Sequence, residues 1–334
     1  MENQKISFDK VSEEDVLMGL IESKIPVMMH GKPGCGKTAR VKAIDPDVEV
    51  LSLPYKDPSA IMGKTVFNPV TGKTEAIKPE WYDRFCEKCK QEPNKTHILF
   101  FDEITNAMPA IQLMSYQIVL DRIVNDKWKL PENCAVVAAG NEVEDSIAAY
   151  DMPEPLHSRF AHVYIVTTAE NWLPWAMKND IHPSIVSFIA WKKDSVLFTP
   201  FDGAAPNADP RKWEKASNLL KTTGKVKMMR SLVGADITTD FEAFCSIKMP
   251  SIEEVVAGKA DMPQGVGARY ATIGALSYAK ETELQPVWKY VTKFEKEYQA
   301  IFMKLWTRGD GKRFEKISKL NGAVEIFEGL ESKN

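Results

Sequence analysis

Eight consecutive residues, Gly31-Lys32-Pro33-Gly34-Cys35-Gly36-Lys37-Thr38, have the order of types that a phosphate cradle needs. Glycines permit backbone angles and close approaches that a Cβ forbids. Successive N–H groups, with the start of a following helix, then face anionic oxygens. Lys37 supplies a point charge for the β- and γ-phosphates of a nucleoside triphosphate, and Thr38 supplies a hydroxyl for Mg²⁺. Lys32 and Pro33 fill variable positions, and Cys35 reads as a small filler. Farther along, Ile98-Leu99-Phe100-Phe101-Asp102-Glu103 is an apolar run ending in two carboxylates. Asp102 is placed to hold Mg²⁺, directly or through water. Glu103 is placed to orient the attacking water, since phosphoryl transfer needs positioning and charge stabilisation more than covalent chemistry. A third run, Ala135-Val136-Val137-Ala138-Ala139-Gly140-Asn141, delivers one side-chain amide at its end, able to bond that water or the γ-phosphate.

Such groups need rigid carriers. Five short apolar runs predict strands: Ile25 to Met29, Val48 to Leu53, His97 to Phe101, Ala135 to Ala139 and His162 to Val166. Nearly unbroken apolar runs between helical stretches, one of them Ala39 to Ile44, predict a parallel sheet buried on both faces. Right-handed crossovers place helices on both sides of it. From Ala169 onward strand signals fade. Helices are predicted over Trp172 to Lys178, Ser184 to Lys193, Pro210 to Lys221 and Ile252 to Ala257. A last long helix is predicted from Pro286 to about Trp306, striped by Val287, Val291, Phe294, Tyr298, Ile301 and Leu305. The expected division is an α/β nucleotide-binding domain over 1–166 and a helical region over 167–334.

Bulk properties narrow the class. The 334 residues carry a formal net charge of -3, with 44% hydrophobic and 27% charged residues. That balance gives no argument for nucleic acid as an obligatory partner, and leaves room for a local basic surface. The first ten residues are polar, and no apolar run reaches the ~20 residues of a membrane span. A cytoplasmic protein is expected. Five cysteines are too few for a disulfide scaffold.

The three motifs in this order resemble the AAA+ superfamily, and in detail its MoxR-type branch with CbbQ/NorQ-like and dynein-related members. The stretches that carry the likeness are HGKPGCGKT at 30–38, FFDEITNAMPAIQ at 100–112, VVAAGNEVED at 136–145, MPEPLHSRF at 152–160 and ADPRKWEKAS at 208–217. The resemblance implies a P-loop fold with a five-stranded parallel sheet in the order 5-1-4-3-2, followed by a helical lid. It implies ATP with Mg²⁺ as the bound species and ATP hydrolysis as the activity. Arg159 matches the arginine finger that enters a neighbouring subunit's site, worth roughly 10³–10⁵ in rate. Arg211 matches the second-sensor arginine at the start of the lid. Ser158 stands where the family usually has an acid. The implied assembly is a ring, with a hexamer expected. Its implied work is remodelling of a partner protein, in this family often one with a von Willebrand factor A domain or a metal-cofactor enzyme. A nucleic-acid motor or replication loader, phage-encoded or not, is the second reading, and an ATP-gated scaffold the third.

Two insertions also resemble this branch. A hairpin is expected within Asp57 to Trp81, around Asn68-Pro69-Val70-Thr71-Gly72, with Lys64, Thr65 and Phe67 as pore contacts or as plain solvated residues. A second is expected within Asp121 to Cys134. Other signals read as structural. Cys86 and Cys89 lack partners for a zinc site. The five histidines suggest no cluster. Lys221, Lys225, Lys227 and Arg230 read as a solvated loop, and Trp172, Trp175 and Trp191 as packing.

Overall fold

The computed structural model describes residues 11–141, 150–201, 203, 205–308, 310–320 and 322–326. The polar start of the chain and Glu142 to Asp145 of the VVAAGNEVED stretch lie outside the described residues. The chain divides into two compact units, Met1–Val166 and Thr167–Asn334.

The first unit runs α1 (Glu13–Glu22), β1 (Val27–His30), α2 (Lys37–Ile44), β2 (Glu49–Ser52), α3 (Pro58–Met62), β3 (Lys64–Asn68), β4 (Lys73–Ile77), α4 (Glu80–Gln91), β5 (His97–Asp102), α5 (Pro109–Leu120), β6 (Ile123–Val124), β7 (Trp128–Lys129), β8 (Cys134–Gly140), α6 (Glu154–His157) and β9 (Ala161–Tyr164). Five of these strands form one sheet in the order β2-β5-β8-β1-β9, every pairing parallel. Counted among themselves, these strands read 5-1-4-3-2 from the β9 edge, as expected. The central strands are apolar throughout because helices cover both faces: Ile98 to Phe101 and Ala135 to Ala139 are at most 1% exposed. Each such Phe, Ile or Val contributes about 1.5–3 kcal/mol by leaving water. The buried carboxylate of Asp45, at the end of α2, accepts the Ile98 N–H at 3.1 Å, and Lys95 lies 2.9 Å from it. The helix that starts at the phosphate loop is thereby tied to the strand that ends in Asp102.

Both expected hairpins are present. β3 pairs antiparallel with β4, and β6 with β7. Lys64, Thr65 and Phe67 are exposed on β3. Cys86 and Cys89 lie on α4, and among the described residues no group of His, Cys, Asp and Glu could hold a metal. Burial pushes both thiols up, Cys89 to about 11, so neither is poised as a thiolate.

All regular elements among the second unit's described residues are helices, chiefly α7 (Ala169–Lys178), α8 (Pro183–Lys192), α9 (Asp194–Leu197), α10 (Pro210–Thr223), α11 (Arg230–Val233), α12 (Ala235–Cys245), α13 (Ile252–Val256), α14 (Val266–Leu276), α15 (Leu284–Val291), α16 (Lys296–Thr307) and α17 (Gly311–Ser318). Its core centres on Phe188, whose ring meets Trp191, Trp213, Phe241 and Phe244 at centroid distances of 5.3–6.4 Å. Trp213 is fully buried and its indole N–H donates to the Val196 carbonyl at 2.9 Å. Trp172 and Trp191 pack as expected, and Trp175, though 36% exposed, lies against Trp172 with ring centroids 6.0 Å apart. In the basic stretch Lys221 pairs with Asp180 and Lys227 with Glu242.

The single last helix is a correction: it is two helices, α15 and α16. Glu295 turns extended (φ -62°, ψ 155°), and the Gln299 amide donates back to the carbonyls of Phe294 at 2.5 Å and Thr292 at 3.3 Å. The apolar stripe survives the break because Phe294, inside the turn, is still buried. Periodicity therefore could not reveal it. Gln299→Ala strands a buried carbonyl and is expected to cost about 1–3 kcal/mol in denaturant unfolding. A loss below about 0.5 kcal/mol, ordinary for a surface change, would show that the turn holds without this amide.

Candidate functional site

Three adjacent strands, β5, β8 and β1, end side by side. Register aligns His30 with Gly140 and Phe101 with Ala138. β5 ends on Asp102 itself, and the residues just past the three ends are Gly31, Glu103 and Asn141. This is the crevice outside the carboxyl ends of a parallel sheet, where open α/β folds bind ligands.

The contacts are direct. The Lys37 ammonium donates to the Gly31 carbonyl at 2.5 Å and to Asn141 Oδ1 at 2.9 Å. The Thr38 hydroxyl donates to Asp102 Oδ2 at 3.0 Å. Gly36 starts α2 in a left-handed conformation (φ 92°, ψ 20°) that a side chain would strain, and no side chain caps the helix. Its first-turn N–H groups therefore face the loop, as phosphate oxygens require. Cys35 is buried, and serves as the filler expected of it. Lys32 and Pro33 are exposed, and Gly34 takes φ 82°.

Glu103 follows the strand at φ 56°, ψ 39°, an unusual conformation for a residue with a Cβ. Strain of this kind, of order 1–3 kcal/mol, concentrates at working sites. Asn141 is held by a residue the sequence did not flag. Thr105, 7% exposed, accepts the Asn141 N–H at 3.0 Å through its hydroxyl. Gly140 makes that possible, since a Cβ there would lie 2.5 Å from the Thr105 methyl. No spacing rule marks a threonine two residues past an acidic pair.

The donor set fits a triphosphate and a magnesium ion. Thr38 and Asp102 offer two hard oxygens already within hydrogen-bond distance of each other. The rest of an octahedral shell would come from phosphate and water, as Mg²⁺ commonly arranges.

Arg159 is not drawn into this group. Its guanidinium donates to Ser158 Oγ at 2.8 Å and lies 5.2 Å from the centre of the Tyr116 ring. Ser158 thus keeps a hydrogen bond to the arginine at the place of the usual acid. Arg211 belongs to the second unit, exposed in the first turn of α10, two residues after the capping Asp209.

One expectation is overturned. Three of the five histidines do cluster: His30 Nε2 lies 2.7 Å from His162 Nδ1, and the His157 and His162 rings stack at 3.9 Å. His30 sits far from the other two in sequence, and only the adjacency of β1 and β9 brings it to them.

Residues 27–168 match the family model described as "ATPase family associated with various cellular activities (AAA)". The matched segment takes in the whole parallel sheet and the phosphate loop. No curated protein matches the sequence. Among solved structures, NtrX of Brucella abortus with ADP is 14% identical with a TM-score of 0.42, covering 96% of this chain and 67% of that one. A putative ATPase of Cytophaga hutchinsonii is 13% identical with a TM-score of 0.32, covering 92% and 88%. A RuvB variant of Thermotoga maritima is 16% identical with a TM-score of 0.40, covering 81% and 85%.

Within the matched segment His30 is driven down to about 4, first by burial and then by the neighbouring His162, His157 and Lys37 charges. The unfolded chain, titrating near 6.5, takes up a proton that the folded chain refuses between those values. Stability contributed by neutral His30 is thus full above pH 6.5 and is lost as pH falls toward 4. Denaturant melts of the wild type and His30→Gln across this range should show a shallower pH slope in the variant. Equal slopes would mean that His30 titrates normally.

Proposed function

We propose that the matched segment is an AAA ATPase domain that binds ATP at Gly31 to Thr38 and hydrolyses it to ADP and phosphate. The observation that carries this reading is the convergence of Lys37, Thr38, Asp102 and Asn141 at three neighbouring strand ends. In this reading Gly31, Lys32, Pro33, Gly34, Cys35 and Gly36 wrap the phosphates. Lys37 exchanges the Gly31 carbonyl and the Asn141 amide for phosphate oxygens. Thr38 and Asp102 hold Mg²⁺, which neutralises charge on the β- and γ-phosphates. Glu103 orients the water, and Asn141, released from Lys37, bonds that water or the γ-phosphate.

Arg159 serves a neighbouring subunit's site. Its two contacts here, Ser158 and Tyr116, leave the charge at the surface of its own unit, half-buried and paired with no carboxylate among the described residues. A homo-oligomeric ring, a hexamer by the MoxR-type resemblance, follows from that role. Residues 1–166 are then the nucleotide-binding domain. Residues 167–334 form the helical lid and C-terminal region, with Arg211 as second sensor. The ring's work is remodelling a partner protein, one bearing a von Willebrand factor A domain being the candidate, with Lys64, Thr65 and Phe67 as pore contacts. The pairing of Lys221 and Lys227 with acids, and the net charge of -3, leave little support for a nucleic-acid motor.

Purified full-length variants test this. Lys37→Ala should lose nucleotide binding. Glu103→Gln should bind ATP normally yet turn over roughly 10²–10⁴-fold more slowly. Lys37→Ala and Arg159→Ala subunits, each strongly slowed alone but with residual turnover in Arg159→Ala, should regain activity when mixed. Full ATPase activity in Lys37→Ala would sink the reading of the loop, and no recovery on mixing would sink the shared site. Stimulation by DNA that falls steeply with salt would instead favour the motor.

A further inference from the structure

Four rings form a continuous row at the β1–β9 edge. His157, the last residue of α6, stacks on His162 of β9 at 3.9 Å. His162 meets His30, the last residue of β1, edge to edge, with ring centroids 5.0 Å apart, and His30 lies against Tyr164 at 4.7 Å. Hydrogen bonds run through the same rings. His162 Nε2 lies 3.0 Å from the His157 carbonyl, which can only accept, so that nitrogen carries a hydrogen. In neutral His162 the other nitrogen is then an acceptor. The 2.7 Å contact must be a donation from His30 Nε2. The chain of donation runs His30 to His162 to the His157 carbonyl.

Both ends of this chain touch machinery assigned above. The His157 carbonyl also accepts the Phe160 N–H at 3.2 Å, while the Arg159 N–H donates to Leu156 at 3.1 Å. These bonds define the turn that carries Arg159. At the other end, His30 directly precedes Gly31, whose carbonyl holds the Lys37 ammonium. Drawing Lys37 onto a phosphate releases that carbonyl and frees the peptide beside His30. His162 is bonded at both edges of its ring, so it cannot follow His30 without pulling on the Arg159 turn. Hydrogen bonds weaken steeply when bent or stretched, so a small shift at Gly31 suffices to alter the link.

We propose that His30 and His162 are positioning residues that couple the phosphate loop to the turn carrying Arg159, so that the contents of one site set the pose of the arginine offered to the next subunit. The inference rests on Arg159 acting as the finger. Neither histidine touches the reacting atoms in this account. Each acts through the residue it holds. Groups facing His30 are Lys37 from the loop, His157 from α6, and His162 and Tyr164 from β9.

His30→Phe keeps a ring in the row and removes the donor. Its turnover should fall roughly tenfold, the worth of one hydrogen bond, with fluorescent-nucleotide affinity unchanged within about twofold. His30→Gln, whose amide can donate where Nε2 does, should recover to within about threefold of wild type. The decisive arm is the double variant. If His30 works through Arg159, His30→Phe should slow an Arg159→Ala ring no further, whereas independent effects would multiply. Unchanged turnover in His30→Phe overturns the link, and so does multiplication in the double variant. Full activity in Arg159→Ala overturns the finger itself, a separate outcome. Should His30→Phe fail to melt cooperatively, His162→Gln serves instead. It keeps a donor for the His157 carbonyl, moves the acceptor off the Nδ1 position that faces His30, and carries the same expectations.

Discussion

The site depends on one alignment: three parallel strands must stop at the same level. A lysine on α2 can reach the carbonyl of Gly31 and the amide of Asn141 together only because β1 and β8 are neighbours in register. The Thr38 hydroxyl can reach Asp102 only because β5 flanks β8 on its other side. A slip of one residue in any of these strands would turn its side chains to the opposite face and remove a group from the site. The buried apolar strands prevent that slip, since their pleats are packed on both faces. The Asp45 bond to Ile98 adds a polar lock between the far end of α2 and β5.

Much of this was legible in the chain itself, and the reason is physical. Phosphate cradles are local: their glycines, lysine and threonine are consecutive, so their spacing survives in one dimension. Buried parallel strands are local too, being short runs of Val, Ile, Leu, Phe and Ala. The carboxylates and the amide stood out because each ends such a run. Hairpin turns announced themselves through Asn68, Pro69 and Gly72.

What could not be read is what depends on distant partners. Thr105 looks like any threonine until Gly140 approaches it closely enough to exclude a Cβ. His30 and His162 are 132 positions apart, and nothing in their separate surroundings hints that their rings bond. The break between α15 and α16 was hidden for another reason. Burial follows the stripe, whereas helix continuity follows the backbone, and Gln299 satisfies the carbonyls that the interruption exposes. Ser158 was visible as a departure from the family pattern, but only the structure shows that its hydroxyl still engages Arg159.

Glu103 sits at the one point where this site opposes its own backbone. A positive φ penalises any residue with a Cβ, and glycine would relax it. A Glu103→Gly chain would therefore relieve the strain while deleting the carboxylate assigned to the water. The folded state and the reaction rank that position in opposite order, so selection for thermal robustness alone would erode it.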